Sequence, residues 1–252
     1  MQIGAQMYTV RNFCRDLDGF KTTLEKIADI GYKTVQVSGV CDYEPAWLKE
    51  QLEKTGLQCV ITHPDDERFF DPQKIVADHK VFGCKYIGLG CMPNGSRGLT
   101  EIDRFIETFL PLAKGIRENG GRMMYHHHHY EFGRDEQGER YLDKILRSFP
   151  AEDLGLTLDT YWVQVGGANP ADLLKSLKGR VPCIHLKDLA ISGVEQHMAP
   201  VGSGNIDFEK VLAAAEAADT EFALVEQDES YGEDPFDCLK KSYDYLRSLG
   251  LR

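Results

Sequence analysis

The chain has 252 residues, of which 42% are hydrophobic and 27% charged, as is typical of a folded globular protein rather than a disordered one. Its 40 acidic residues outnumber its 29 Lys and Arg residues, and the net charge of −11 argues against nucleic acid as a partner. The first residues show no export signal and the apolar runs are short, so we expect a cytoplasmic protein with no membrane partner.

Short apolar runs alternate with longer amphipathic segments along the whole chain. Eight runs are predicted as strands: Gln2–Tyr8, Thr34–Gly39, Gln58–Pro64, Lys85–Gly90, Arg122–His128, Gly155–Trp162, Cys183–Asp188 and Phe222–Asp228. Helices are predicted between them, and three begin at a cap followed by proline, at Asp71, Asn169 and Asp234. The strands start about 31 residues apart on average, the spacing of a strand–helix repeat. We therefore predict an α/β fold with one domain, residues 1–252, forming a (β/α)8 TIM barrel; an open doubly wound sheet is the alternative.

Ionisable side chains follow several of these runs at the carboxyl ends of the strands, where barrel enzymes place their active sites. Asp159, His185 and Glu226 are each the first ionisable residue after an apolar run. Two carboxylates and an imidazole that converge on one axis make a divalent-cation site, and we expect a fourth ligand from the fifth strand. A set of buried ion pairs is the structural alternative.

The fifth predicted strand carries four consecutive histidines, His126 to His129. Strand alternation places His126 and His128 on one face and His127 and His129 on the other. We expect His126 and His128 to face the site, where either imidazole could act as a general base because it titrates near ~6.5 when unperturbed.

Lys187 lies two residues after His185, so both side chains should face the same side of their strand. An ammonium in that position could stabilise a developing oxyanion or donate a proton. An ion pair with Asp159 or Glu226 is the alternative.

Four more side chains at strand ends are expected to shape the pocket and bind substrate, and these are Tyr8, Gln36, His63 and Trp162. Trp162 could equally fill space between the barrel and its helices.

Six segments resemble the sugar phosphate isomerase/epimerase superfamily of xylose-isomerase-like barrels, and especially its members with a YHNHxxEF motif. The segments are QMYTVR at 6–11, YHHHHYEF at 125–132, LDTYWVQVGG at 158–167, HLKD at 185–188, VGSGNID at 201–207 and VEQDESYGEDP at 225–235. The resemblance covers essentially the whole chain and is specific for the superfamily, but it does not identify a substrate.

The resemblance implies one divalent ion held by Glu, Asp, His and Glu on strands five to eight. In this chain these residues correspond to Glu131, Asp159, His185 and Glu226. His126 is the alternative to Glu131, because many relatives carry the carboxylate inside the strand at that position. Hard oxygen ligands with one imidazole favour Mn²⁺, with Mg²⁺, Co²⁺ or Zn²⁺ as alternatives.

The resemblance also implies isomerisation or epimerisation of a ketose or keto-sugar through an enediolate, begun by removing the proton next to the carbonyl. Glu226 could serve as both ligand and base, as carboxylates do in some relatives. A dehydratase or lyase acting on a keto-inositol or 3-keto-glycoside is one alternative, and a non-catalytic sugar-binding subunit is another. The glycines of VGSGNID could form a phosphate-binding nest, but the segment has no Lys or Arg, which favours a neutral sugar. The expected partners are a small sugar and, as an open question, further copies in a homo-oligomer.

Overall fold

Eight parallel strands close on themselves in the computed structural model, which describes residues 1–251. The strands in chain order are β1 (Gln2–Gln6), β2 (Thr34–Val37), β3 (Gln58–Thr62), β4 (Tyr86–Leu89), β5 (Arg122–His126), β6 (Leu154–Asp159), β7 (Cys183–Leu186), β8 (Asp188–Ser192), β9 (Glu195–Ala199) and β10 (Phe222–Val225). The barrel consists of β1 to β7 and β10, and β1 pairs with both β2 and β10 to close it. The predicted eight-stranded barrel is confirmed.

Helices connect the strands and cover the outside of the barrel. They are α1 (Leu17–Ile30), α2 (Pro45–Thr55), α3 (Pro72–Val81), α4 (Ile102–Glu118), α5 (Tyr141–Ser148), α6 (Thr160–Val165), α7 (Pro170–Ser176), α8 (Phe208–Ala217) and α9 (Pro235–Ser248). The predicted caps Asp71, Asn169 and Asp234 each accept a hydrogen bond from a backbone N–H in the first turn of α3, α7 and α9. Within the described residues, no helix is both long and apolar enough to cross a membrane.

All eight barrel strands end one to three residues earlier than predicted, and the ends of β5 and β6 lie at the candidate site. β5 stops at His126 rather than His128, and β6 stops at Asp159 rather than Trp162. The second difference has a local cause, because the Asp159 side chain accepts a hydrogen bond from Trp162 N at 3.0 Å and so caps α6. The antiparallel hairpin of β8 and β9, which follows β7 directly, was not predicted.

The strand register brings the predicted ionisable residues to one end of the barrel. β6 and β7 pair so that Asp159 lies beside His185, and β7 and β10 pair so that His185 lies beside Leu224. Glu226 follows Leu224 by two residues and therefore emerges at the same end.

Candidate metal centre and cleft

Four buried side chains converge at the carboxyl end of the barrel. They are His126, Asp159, His185 and Glu226, each no more than 4% exposed. Each offers one potential ligand atom, and these four atoms all lie within 4.8 Å of one another. Two imidazoles and two carboxylates form a donor set that divalent transition metals accept.

Both imidazoles are held by an acceptor on the side away from the cluster. His126 Nδ1 lies 2.8 Å from the carbonyl oxygen of Gly90, and His185 Nε2 lies 2.7 Å from Gln36 Oε1. Each of these ring nitrogens must carry the hydrogen, because its partner can only accept. In the neutral imidazoles, His126 Nε2 and His185 Nδ1 would therefore turn their lone pairs toward the carboxylates, which is the usual arrangement of metal-binding histidines.

Two atoms of the cluster are buried without a hydrogen bond, and they test whether a cation fits. His185 Nδ1 and Glu226 Oε2 lie 2.9 Å apart and neither atom makes a well-aligned hydrogen bond, although the Lys187 ammonium lies 2.9 Å from Glu226 Oε2. A buried lone pair against a buried carboxylate oxygen is unfavourable unless a cation or a proton lies between them. A divalent ion would use both atoms, so the residues present fit one.

Glu131, the expected ligand from the fifth strand, lies outside this group of four. Its side chain is buried, but Oε1 accepts from the Tyr125 hydroxyl at 2.6 Å and Oε2 accepts from His128 N at 2.9 Å. β5 ends at His126, and the chain then turns into a short 3-10 helix that places Glu131 beside Tyr125. Of the two alternatives for the fourth ligand, the structure therefore places His126, and not Glu131, in the group of candidate ligands.

Lys187 lies against the cluster and is 1% exposed. Its ammonium is 3.3 Å from Asp159 Oδ2, 2.9 Å from Glu226 Oε2 and 2.9 Å from Asp228 Oδ1. The ion pairs considered as the alternative role for Lys187 are thus present. Because Lys187 also lines the open cleft, these contacts are compatible with a part in catalysis.

Burial and neighbouring charges together set the pKa values of the ionisable groups in this region. Burial raises the pKa of the Asp159 carboxyl, but the ammonium of Lys187 and the imidazole of His126 outweigh burial and hold it at about 2. Burial lowers the pKa of Lys187, but its neighbouring carboxylates outweigh that effect and raise it. Burial and the charge of Glu226 raise the pKa of Asp228 to about 6, because Lys187 offsets only part of their effect.

A cleft of about 700 Å³ opens above the cluster. Two of the four predicted substrate-binding residues, Tyr8 and His63, line it together with His126 and His128. His126 and His128 therefore both face the cleft, as strand alternation predicts.

Burial, together with the nearby His126 and Lys187, lowers the pKa of His128 to about 2, so its imidazole is a weak base.

Gln36 and Trp162 are not among the residues that line the cleft, and their role as substrate-binding residues stays a prediction. Gln36 is fully buried in β2, where its carbonyl oxygen holds His185. Trp162 lies in α6. The centre of its ring is 5.3 Å from the centre of the His128 ring and 5.4 Å from the Lys187 ammonium. Both residues thus contact side chains of the site without lining the cleft themselves.

Two residues of the site, Gln6 and Asp228, were not among the predicted functional residues. Gln6 Nε2 donates to Glu226 Oε1 at 2.9 Å, and both carboxylate oxygens of Asp228 accept from Lys187. Strand alternation carried a signal for Asp228, because it lies two residues after Glu226.

Gln36 provides a test of how His185 is oriented. We expect Gln36→Leu to weaken binding of Mn²⁺ or Zn²⁺ by roughly 10–100-fold, since loss of an outer partner frees a ligand imidazole. Gln36→Glu should keep near-native affinity, because a carboxylate also accepts from His185 Nε2. Chelator competition measures the affinity, and ¹⁵N NMR reports the ring tautomer. Equal affinity in Gln36→Leu and wild type would remove Gln36 from this role.

These features define a parallel barrel with a candidate metal centre at its carboxyl end, and comparison with known proteins gives the family. The family model described as xylose isomerase-like TIM barrel matches residues 24–249. The chain belongs to this family, and the resemblance carried by the six segments is confirmed. None of the curated proteins matches the chain.

Several solved structures share the fold along nearly the whole chain. One is a sugar phosphate isomerase/epimerase from Parabacteroides distasonis, with a TM-score of 0.80 and 18% identity over 99% of this chain and 94% of that one. Another is the probable 3-DHS dehydratase AsbF of Bacillus anthracis, with a TM-score of 0.74 and 13% identity over 98% and 99% of the two chains. A third is the IOLI protein with a bound zinc atom, with a TM-score of 0.66 and 14% identity over 99% and 98%. At these identities the likeness shows the fold.

Proposed function

We propose that the protein is a divalent-metal-dependent isomerase or epimerase that removes a proton next to the carbonyl of a ketose or keto-sugar. The observation that carries the proposal is the arrangement of the cleft floor. There the four candidate ligands, among them the ionised carboxylate of Glu226, meet the buried ammonium of Lys187. A base and a cationic group are the two elements that enolisation requires from a protein. The isomerase/epimerase and IOLI structures support the proposal through their shared fold.

We propose His126, Asp159, His185 and Glu226 as the ligands of one ion. When bound, a divalent ion would polarise the substrate carbonyl and stabilise negative charge that develops on it. The second imidazole replaces an expected carboxylate, and this moves the preference from Mg²⁺ toward Mn²⁺, Co²⁺ or Zn²⁺. The two carboxylate ligands balance the charge of such an ion, while Lys187 and Asp228 balance each other.

We propose Glu226 as the base and Lys187 as the group that supplies a proton or stabilises the oxyanion. Gln6 holds one oxygen of Glu226, which leaves the other oxygen facing Lys187 and the cluster. His128 is the second base that faces the cleft. Its pKa is lowered to about 2, and, against the effect of burial, Lys187 and His185 also hold the pKa of Glu226 well below its usual range, so basicity does not separate the two groups. We choose Glu226 because it belongs to the group of four candidate ligands and His128 lies outside it. Its proposed role is therefore to contact the substrate.

Deuterium exchange tests this proposal. Protein loaded with Mn²⁺ is incubated in D₂O with a panel of ketoses, keto-inositols and 3-keto-glycosides, and NMR identifies the carbon that acquires deuterium. We expect deuterium at one carbon next to the carbonyl, and no exchange with chelated protein or with Asp159→Asn. Turnover without deuterium at any carbon would contradict the proposal and indicate a hydride shift.

Elimination is the second candidate, and the dehydratase among the solved structures favours keeping it. The same base would remove the same proton, and Lys187 would assist departure of a group on the next carbon. The deuterium assay separates these outcomes, because a lyase yields an unsaturated product. Binding of a sugar without exchange or turnover would indicate a sugar-binding subunit instead.

A further inference from the structure

The glycine-rich loop at 201–207 surrounds a carboxylate of the chain itself. Asp188 Oδ1 accepts from Leu189 N at 2.8 Å and from Ile206 N at 3.2 Å. Its other oxygen, Oδ2, accepts from Gly202 N at 3.0 Å and from Gly204 N at 2.8 Å. Asp188 is fully buried, so the nest expected to bind phosphate already holds an internal anion.

This loop lies where TIM barrels often bind phosphate, namely in the loops after the seventh and eighth barrel strands. A Cβ on Gly204 would lie 2.5 Å from Asp188 Oδ1, which shows how closely the loop wraps the carboxylate. The helices that follow, α8 and α9, begin at Asp207 and Asp234, and each side chain accepts from a backbone N–H of its own helix. Carboxylates of the chain thus occupy the anion-binding backbone groups of this region.

The opposite lip of the cleft carries negative charge. Asp65, Asp66 and Glu67, which follow β3, all line the cleft; we call them the acidic lip. Among the described residues that line the cleft, Lys187 is the only Lys or Arg, and three carboxylates surround it.

Arg11 lies beside this cleft but is also engaged. Its guanidinium donates to the carbonyl oxygens of Tyr8 and Asp228 and pairs with Glu229 at 3.1 Å. Phosphate recognition relies on charge-assisted bonds from Arg, Lys or backbone N–H groups. Donors of these kinds that are already bonded to groups of the chain are Lys187, Arg11 and the backbone N–H groups of Gly202, Gly204 and Ile206.

We infer that the cleft selects a non-anionic sugar and excludes sugar phosphates and sugar acids. The inference rests on the proposed function and specifies its substrate class. A phosphate at the acidic lip would meet its carboxylates, because Lys187 and the proposed ion lie on the cleft floor and are balanced by carboxylates of the chain. Sugar hydroxyls, in contrast, can donate hydrogen bonds to the carboxylates of the lip.

Paired substrates test the inference. The Mn²⁺-loaded protein is offered D-fructose with D-fructose 6-phosphate and D-xylulose with D-xylulose 5-phosphate, each pair in D₂O. Deuterium exchange measures reaction, and relaxation of ligand NMR signals by the bound Mn²⁺ measures binding. We expect the free sugar of a pair to bind more tightly and to be the one that exchanges. Equal or better exchange of the phosphate ester would overturn the inference and leave the proposed function standing.

If no sugar of these pairs and no compound of the wider panel exchanges, the proposed function fails, and binding alone decides the inference. Tighter binding of the free sugar supports the inference, and tighter or equal binding of the ester overturns it. If, in addition, no member of either pair binds, both proposals fail.

Variants that remove the charge of the acidic lip test whether its carboxylates cause the preference for the free sugar. The triple variant Asp65→Asn, Asp66→Asn, Glu67→Gln should raise the affinity for the ester relative to the free sugar by roughly 5–10-fold, with a smaller effect at high salt. The matched control changes the same number of exposed acidic residues away from the cleft, at Glu107, Glu209 and Glu216, and should leave that ratio unchanged. An equal change in both triple variants would overturn the role of the lip.

Discussion

Protein carrying His126→Ala should lose its divalent ion, whereas protein carrying Glu131→Gln should keep it. We expect the affinity of His126→Ala for Mn²⁺ or Zn²⁺ to fall by more than ~100-fold, since even an outer partner is typically worth 10–100-fold. Glu131→Gln leaves all four candidate ligands in place and changes only a carboxylate held by Tyr125 and His128. Elemental analysis after dialysis and chelator competition give the two results.

A third variant, His126→Glu, sharpens this test. It replaces one imidazole of the group with a carboxylate, so we expect binding to persist with a preference shifted toward Mg²⁺ and Mn²⁺ over Zn²⁺. A melting curve for each variant, with and without EDTA, separates loss of the ion from loss of folding. An ion retained by His126→Ala and lost by Glu131→Gln would restore the original ligand set.

The barrel could be predicted from the sequence because its signals are local and repeat. Each strand is a short apolar run, and caps such as Asp71 and Asn169 mark helix starts by side-chain chemistry that needs no distant partner. Asp159, His185 and Glu226 could be placed at one end for the same reason, because each is the first ionisable residue after such a run.

The fourth candidate ligand depended on where β5 ends, and strand ends are poorly marked in a run of four histidines. The resemblance implies a Glu from the fifth strand, and Glu131 lies just beyond the strand end predicted at His128. In the structure the strand stops at His126, and Glu131 bonds to Tyr125 and to His128 N instead. Periodicity reports which face a residue occupies, but it does not report which backbone group a carboxylate will meet after a turn.

The roles of Gln36 and Asp188 depended on contacts between distant parts of the chain. Gln36 meets His185 across the barrel interior, and a shift in register between β2 and β3 occurs between Val35 and Gln36. Asp188 fills the loop at 201–207 from the start of β8, in a hairpin that was not predicted. Neither contact has a pattern in the neighbouring sequence.

Lys187 is the site residue whose replacement should have the largest effect on both folding and turnover. Its ammonium contacts Asp159, Glu226 and Asp228, and it is almost fully buried. In metal-free protein, Lys187→Met leaves these carboxylates without their ammonium, and removing one partner from a buried ion pair typically costs about 3–5 kcal/mol. We therefore expect a large fall in Tm for metal-free Lys187→Met, and recovery of much of it with Mn²⁺, whose charge offsets two of the carboxylates. Adding Asp228→Asn should also recover part of the metal-free stability.

Turnover should stay impaired even where Mn²⁺ restores Tm. The ion and the ammonium would act on the same developing negative charge, and loss of one positioned donor commonly costs roughly 10²–10³ in rate. Lys187→Met saturated with Mn²⁺ should thus show kcat lowered by about that factor with little change in KM, because a neutral sugar in its ground state gains little from the ammonium. Lys187→Arg should restore stability better than kcat, since a planar guanidinium does not place its donors where a compact ammonium does. A rise in KM alone would make Lys187 a substrate-binding residue, and native kcat in a destabilised variant would leave it only the role of a buried counter-ion.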